Sequence, residues 1–587
     1  MRKGIAVSPG VAVGTAYCIH EIFVNPDRQR VEEHEISSEL AAYETARDKT
    51  ASDLRTLQTK VANQIGRAEA AIFAVHEAIL RDSDFTKRVR GWIVDERLTA
   101  PAALNRLMEH YTKLFERTSD SYLKDRLDDV RDVIIRISSY LSDVLRPDGN
   151  ALPGPLIVVA NELLPSQVVA LGDIEVHGIV TQGGSQTSHA AIIARSRGIP
   201  AVSGVVGILR HVKTGDRIIV DGREGLVTVN PDAEVLSAYK KLEREFVDLR
   251  DQLAENRLDP AITADGVPIS LLANINGVAD SKTASAMGAS GVGLFRTEYM
   301  YLTHNDVPDE EQQLGIYRQV VKASPGHRVT IRTLDIGGDK TVPYLGHQHQ
   351  EANPFLGWRS IRLSFEHPEF FMTQIRAILR AAAYARRLGG EVRLMFPMVT
   401  TLEEMRRLQR MVNRACRQLE SQKKDFRKAP IGMMVEVPAA AIAIDTLLPA
   451  VDFVSIGSND LVQYLMAADR DNPKVSHLCE PLAPPVLRVL SSVIQACNAA
   501  GKSVTLCGEM AGQPRSFVLL VGMGLRSFSM SPAWVPSIKN LASHLRVEQA
   551  EHLLQQALKF PTTIQVKRFM ADQIKKISPN VGILDTA

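Results

Sequence analysis

The sequence predicts a multidomain α/β protein in which a small α/β domain, interrupted by a helical insert, precedes a (β/α)8 barrel. Three observations carry this expectation. From about residue 268 onward, eight short apolar runs alternate with helical patterns, the signature of a parallel barrel. Residues 22–146 instead show long i, i+3, i+4 periodicity with very few prolines or glycines. Strand-like, turn-rich runs frame that stretch on both sides. A chain of 587 residues is also too long for one hydrophobic core.

Taken in order, the opening Gly4-Ile-Ala-Val-Ser-Pro-Gly-Val-Ala-Val-Gly14 reads as strand and turn, like Leu156–Ala160, Gly178–Thr181, Gly215–Gly222 and Gly225–Pro231 further on. Residues 1–21 and 147–231 are therefore expected to form one α/β domain. Between them, residues 22–146 are expected to pack as four or so helices, with Glu39–Ala62 and Leu123–Leu145 the clearest. Residues 232–259 contain a charged helical linker, Asp232 to Arg257, and 260–587 form the barrel. Its expected strands are 268–274, 291–295, 329–334, 392–397, 431–436, 453–457, 503–507 and 527–530.

Barrels of this kind place their chemistry at the C-terminal ends of the strands. The residues there are Asn274, Arg296 with Glu298, Arg332 with Asp335, Pro397, Glu436, Asn459 with Asp460, Cys507 with Glu509, and Ser531. A purely structural core has no need of so many arginines and carboxylates. In Gly432-Met-Met-Val-Glu-Val-Pro438 and Ser455-Ile-Gly-Ser-Asn-Asp-Leu461 two buried strands each deliver a carboxylate, Glu436 and Asp460, and Arg470 follows. Two such carboxylates suit a hard divalent cation that keeps coordination positions for a phosphate ligand. On its own, an acid after an apolar run is an ordinary strand end; the arginines beside these two favour a site for an anionic substrate.

A second motif lies in the α/β domain. Gly183-Gly-Ser-Gln-Thr-Ser-His189 sets a histidine at the start of a helical pattern after a glycine-rich loop. Backbone N–H groups and the helix dipole favour negative charge there, and imidazole is a competent nucleophile towards phosphorus. The bland alternative makes Thr187 and Ser188 plain helix caps and His189 a surface residue.

The formal charge of +2 gives no bulk basic field for nucleic acid or a membrane surface. No run is long enough to span a bilayer, and the N-terminal residues lack a secretion signal. Five scattered cysteines show no CxxC spacing and no disulfide framework, so a cytoplasmic location is expected.

Many ordered stretches resemble one family: Ala71-Ile-Phe73, Tyr122-Leu-Lys-Asp-Arg126, Asp129-Val-Arg-Asp132, Thr187-Ser-His-Ala-Ala-Ile192, Gly291-Val-Gly-Leu-Phe-Arg-Thr-Glu298, Arg332-Thr-Leu-Asp-Ile-Gly-Gly-Asp-Lys340, Asn353-Pro-Phe-Leu-Gly-Trp-Arg359, Ile456-Gly-Ser-Asn-Asp-Leu461, Cys507-Gly-Glu-Met-Ala-Gly512 and Phe528-Ser-Met-Ser531. Over nearly its whole length the chain resembles the enzyme I family of the bacterial phosphoenolpyruvate-dependent sugar phosphotransferase system. The resemblance implies that His189 is phosphorylated in a swivelling phosphohistidine domain. It implies that the helical insert docks a small phosphocarrier protein of the HPr type, and that the barrel binds phosphoenolpyruvate with Mg2+ and carries a homodimer interface. Arg296 and Arg332 match the family's phosphate-binding arginines, with Arg470 completing the cationic set and Arg359 a further candidate. Glu436 and Asp460 match its magnesium ligands, Asn459 holds substrate beside the metal, and Cys507 stands where the family has its proton donor.

Two departures accompany the resemblance. Ser185 and Gln186 stand where the family has a glycine and an arginine before the histidine. The insert around Ala70 to Phe85 carries Arg67 and Arg81 beside His76, Asp82 and Asp84, which bears on carrier identity. Dikinases with a similar barrel need a nucleotide-binding domain, which the helical stretch replaces. A nitrogen-regulating relative usually has an extra sensory domain before the point where this sequence opens. A non-catalytic phosphoenolpyruvate-sensing scaffold has no use for His189, Cys507 and both acidic residues together.

Overall fold

The computed structural model describes residues 2–8, 10–19, 30–64, 71–116, 121–141, 154–163, 176–183, 194, 199–302, 307–337, 351, 353–470, 472 and 474–578. The chain divides into two compact units, Met1–Val247 and Asp248–Asp585.

In the first unit, β1 (Arg2–Lys3), β2 (Ile5–Ser8), β3 (Val11–Ile19), β4 (Leu156–Ala160), β5 (Val176–Thr181), β6 (Ala201–Ser203), β7 (Arg217–Asp221) and β8 (Leu226–Val229) form one sheet in the order β1-β8-β7-β3-β4-β5-β6-β2. β3 to β6 run parallel, and β7, β8, β1 and β2 pair antiparallel. β4 is buried throughout because it lies mid-sheet: Ile157 and Val159 enter one core, Val158 and Ala160 the other. β6 spans three residues and β1 two, too short for a periodic pattern to reveal in sequence.

The helical insert is the crossover between the parallel neighbours β3 and β4. Among its described residues are helices Ile36–Gln64, Ala71–Arg81, Ser83–Val94, Ala100–Glu116 and Ser121–Leu141. One break between them falls at Asp82, whose carboxylate accepts hydrogen bonds from the backbone N–H groups of Asp84 at 2.7 Å and Phe85 at 3.3 Å. An aspartate cap divides the run with neither glycine nor proline to mark it. Tyr43, Leu54, Phe73, Phe85, Ile93, Leu107 and Ile134 contribute to a core separate from those of the sheet. Within it the buried His76 ring sits 3.2 Å from Asp129 Oδ1 and 3.5 Å from Asp132 Oδ2, tying Ala71–Arg81 to Ser121–Leu141. Asp232 accepts from the Val235 N–H at 2.8 Å and so caps the linker helix, Ala233–Glu255.

The second unit contains a closed parallel barrel of β9 (Ser270–Ile275), β10 (Val292–Arg296), β11 (Arg328–Arg332), β12 (Glu391–Phe396), β13 (Ile431–Val435), β14 (Phe453–Ile456), β15 (Ser503–Leu506) and β16 (Ser527–Met530), closed by β16 against β9. All eight sequence-expected strands are present, with ends shifted by a residue or two. Outward-facing side chains such as Ile331, Met433, Val435, Val454, Ile456 and Leu506 join the large core under the helices. Leu294, Met395, Met434, Phe453 and Cys507 form a small inner cluster. This alternation places Glu436 on the same side of its strand as Met434, Ser455 on that of Phe453, and Arg332 and Arg296 inward at the ends of theirs. No helix among the described residues is long and apolar enough to cross a membrane.

Candidate active site

At the C-terminal mouth of the barrel, strand geometry collects charges that are far apart in sequence. Arg332, the last residue of β11, donates to Glu298 Oε1 at 2.8 Å and lies 3.2 Å from Asp335 Oδ2. Glu298 also accepts from the Asp335 backbone N–H at 3.0 Å, so one carboxylate fixes both the arginine and the loop beyond it. Arg359 donates to both Asp335 oxygens, at 3.0 and 2.9 Å, and reaches Asp460 Oδ2 at 3.4 Å. Arg470 Nη1 lies 2.8 Å from Asp460 Oδ1. The guanidinium carbons of Arg359 and Arg470 are 6.0 and 5.8 Å from the centre of the Phe355 ring. Tyr464 accepts from Arg359 at 3.3 Å and donates to the Phe355 carbonyl at 2.6 Å, holding that segment in place.

Burial works to lower the basicity of Arg332 and Arg359. The carboxylates around them prevail and hold both above the ordinary arginine range. Glu436 has the opposite environment. It is 1% exposed, and burial, then the charges of Asp460 and Asp335, push its carboxyl up to about 8. One oxygen accepts the Met398 backbone N–H at 2.6 Å. Glu436 directly follows β13, whereas Asp460 lies four residues past β14, in the first turn of helix Ser458–Met466. The two carboxylates thus come from a strand end and a helix start rather than from two strand ends.

In this mouth Asp460 Oδ1 and Arg470 Nη1 meet as an ion pair at 2.8 Å, while the buried Arg332 Nε and Ser458 Oγ have no hydrogen-bond partner among the described residues. Such orphaned groups cost free energy unless a ligand or ion completes them. The guanidinium donor left open is the Arg332 Nε–H, a cationic group that matches phosphate or carboxylate oxygens. Asp460 is ion-paired with Arg359 and Arg470, and its charge adds to the burial that raises the pKa of Glu436. A hard divalent cation held by Glu436 and Asp460 fits that pair. No group of three His, Cys, Asp or Glu side chains arranged for a metal occurs among the described residues. Two protein carboxylates are enough for a cation that shares its remaining positions with substrate and water.

Below the charges, Cys507 directly follows β15 and is 2% exposed. Its sulfur accepts from the Ser455 hydroxyl at 3.2 Å and donates to the Ile456 carbonyl at 3.5 Å. Burial pushes the thiol up to about 11, so it holds its proton at neutral pH. From β9, Asn274 Nδ2 donates to the Cys507 carbonyl at 2.9 Å, with Asn274 Oδ1 accepting from Ser529 at 2.6 Å. Asn459 Oδ1 accepts the Glu509 N–H at 3.0 Å, so this amide also braces the loop after the thiol. Gly508 is required by close approach, because a Cβ there would collide with Ser458 Oγ.

The barrel therefore brings Arg332, Arg359, Glu436, Asp460, Arg470 and Cys507 into one region. Arg296 ends β10 half-buried, and its charge acts on both Asp280 and Cys507. His189, with Ser185 and Gln186, lies outside the described residues. The loop leaves the sheet after Thr181 at the end of β5, and Gly183 N–H donates to the Asn161 carbonyl at 2.8 Å. Sequence reasoning assigned no role to Glu298, Asp335, Ser455 or Asn274. Glu298, Asp335 and Asn274 were visible at strand ends. Ser455 had one signal, a lone hydroxyl in the apolar run Phe-Val-Ser-Ile.

Comparison with known proteins finds three family models in order along the chain: PEP-utilising enzyme, N-terminal, over residues 3–126; PEP-utilising enzyme, mobile domain, over 152–225; and PEP-utilising enzyme, PEP-binding domain, over 250–547. The chain is 36% identical over 581 residues to the phosphoenolpyruvate-protein phosphotransferase of Haemophilus influenzae, covering 99% of this chain and 100% of that protein. It is 37% identical over 574 residues to the protein of that name from Staphylococcus carnosus, covering 98% and 99% of the two chains. A solution structure of an Enzyme I protein aligns with 42% of this chain and 100% of its own, at 34% identity and a TM-score of 0.34.

Proposed function

The chain belongs to the phosphoenolpyruvate–protein phosphotransferase family, and on that premise we propose that it moves the phosphoryl group of phosphoenolpyruvate to its own His189 and then to a histidine of a small HPr-type phosphocarrier, releasing pyruvate. This is the first step of the sugar phosphotransferase system. The observation that carries the reading is the barrel mouth, where Arg332, Arg359 and Arg470 converge with Glu436 and Asp460 beside a protonated thiol, and the buried Arg332 Nε–H is left without a hydrogen-bond partner among the described residues.

Phosphoryl transfer is catalysed mainly by positioning and charge neutralisation. Arg296 and Arg332 bind the phosphate, while Arg359 and Arg470 complete a cationic wall for a substrate that is both phosphate and carboxylate. Asn459 is the neutral contact beside them. Glu436 and Asp460 hold Mg2+, which when bound screens charge on the phosphoryl oxygens. A ring nitrogen of His189 attacks phosphorus in line with the bridging oxygen; the N–P bond forms, the P–O bond breaks, and enolpyruvate leaves. Cys507 then gives its proton to the methylene carbon of the enolate, completing pyruvate, and the thiolate regains a proton from solvent. Serving donor and carrier in turn requires the histidine domain to alternate between them. The carrier docks on the helical insert, and the barrel pairs two chains as a homodimer in the cytoplasm; near-neutral charge and the lack of any membrane-spanning helix among the described residues support the last point.

Pyruvate formation from phosphoenolpyruvate and Mg2+ tests this reading. The full chain alone is expected to release about one pyruvate per active site and then stop, and to run continuously when an HPr-type carrier is added. Pyruvate released continuously without an acceptor, or none at all, contradicts it. In the same assay Cys507→Ala is expected to bind phosphoenolpyruvate almost normally while turning over on the order of 10²-fold more slowly, the usual contribution of a positioned acid. Unchanged turnover removes the proton-donor role.

A further inference from the structure

We propose that Ser455 is a positioning residue for the proton-donating thiol, holding the Cys507 sulfur in place and stabilising the thiolate that remains once the proton has passed to carbon. This rests on the reading of Cys507 as the proton donor and deepens it.

Ser455 sits on β14 in register with Thr505, with Ile456 opposite Leu506, so its inward side chain lies diagonally across from Cys507. It is 1% exposed, beside the inner apolar cluster of Leu294, Met395, Met434 and Phe453. Alanine would fill such a position without burying a hydroxyl, and a buried hydroxyl is destabilising unless it is hydrogen-bonded. Ser455 directs its hydroxyl to the Cys507 sulfur at 3.2 Å. A neutral thiol sulfur is a weak acceptor, so in the resting state this bond returns little. A thiolate is a charged acceptor, and hydrogen bonds to charged acceptors are markedly stronger. The bond therefore strengthens as the proton departs, which is the condition for accelerating a step rather than merely binding its reactant.

The surroundings leave this task to the side chain. The backbone of Cys507 is already fixed by its own N–H to the Ile456 carbonyl at 3.0 Å and by Asn274 to its carbonyl at 2.9 Å. What remains free is rotation about the Cα–Cβ bond, and the Ser455 hydroxyl together with the Ile456 carbonyl restricts it. In the step itself, the enolate π-pair forms a C–H bond with the thiol proton and the S–H bond breaks. The enolate oxygen becomes the carbonyl of pyruvate, and the negative charge passes to sulfur, where the Ser455 O–H meets it. Water reprotonates the thiolate before the next turnover.

The test uses the full chain with phosphoenolpyruvate, Mg2+ and an HPr-type carrier in excess, so that turnover is continuous, comparing the parent, Ser455→Ala, Ser455→Thr and Cys507→Ala. Ser455→Ala is expected to lower kcat about tenfold or more with KM changed less than about twofold, and to raise the apparent pKa of Cys507, read from the pH dependence of alkylation at the Cys507 peptide by mass spectrometry. Ser455→Thr, which keeps the hydroxyl, is expected to restore most of both. An unaltered kcat in Ser455→Ala, a rise in KM alone, or an unmoved alkylation profile overturns the proposal provided Cys507→Ala is slow. If Cys507→Ala itself turns over normally, the failure lies in the proton-donor reading on which the proposal rests.

Discussion

Arg332→Ala is expected to lower phosphoryl uptake from phosphoenolpyruvate on the order of 10³-fold, the scale on which a charge-stabilising arginine contributes to phosphoryl transfer. The same change should destabilise the barrel by about 3–5 kcal/mol, because a buried carboxylate loses its charge partner. Glu298 keeps only the backbone N–H of Asp335, at 3.0 Å, of the two contacts that now fix it. Arg332→Lys separates the effects: it retains the positive charge near Glu298 and Asp335 but loses the planar fork and the free Nε–H. Urea denaturation should find the lysine variant closer to the parent in stability, while single-turnover transfer should find it nearly as impaired as alanine. A lysine variant with full transfer activity would reduce Arg332 to a structural ion-pair partner.

The second large effect concerns the acidic pair. Glu436→Gln is expected to raise the Mg2+ concentration for half-maximal activity by more than about tenfold, since losses of 10–100-fold in metal affinity follow even from changes one shell further out. Glutamine can still accept the Met398 N–H, so the loop should keep its shape. Asp460→Asn should act in the same direction but less cleanly, because Asp460 also faces Arg359 and Arg470. The pH dependence gives an independent check. A carboxyl raised to about 8 must lose its proton to take a cation. In the parent the Mg2+ requirement should therefore fall as pH rises towards 8, and in Glu436→Gln most of that dependence should vanish. Titrating activity against Mg2+ at several pH values checks both; an unchanged requirement in both variants would make the carboxylates structural.

Those carboxylates also show what could be read without coordinates. The eight barrel strands were legible because buried parallel strands are short apolar runs between helical patterns, and the residue after each run marks the mouth. Glu436 and Cys507 were located in that way. Their electrostatics were not, because the pKa of Glu436 depends on its burial and then on Asp460 and Asp335, conditions met only when the barrel closes. Asp460 was expected at a strand end and instead opens a helix, since Gly457 and Ser458 turn the chain one step earlier than the apolar run suggests. Glu298 was visible after a strand end beside Arg296, but its bond to Arg332 was not, because that bond spans two strands. Ser455 showed only as a lone hydroxyl in an apolar run, and its contact was hidden for the same reason, as its partner is 52 positions away. In the insert, the split at Asp82 depends on a side chain choosing to cap rather than continue a helix, a local competition that periodicity does not resolve.

Extraction of a phosphoryl group by the barrel and its receipt by His189 form the step proposed for this chain. Isotopically labelled phosphoenolpyruvate with Mg2+, followed by acid and alkali treatment and site mapping, tests it most directly. The predicted result is one acid-labile, alkali-stable label per chain, mapping to His189 and absent from His189→Ala, whose barrel mouth remains intact. A label stable to acid, a label on another residue, or undiminished labelling of His189→Ala would contradict it.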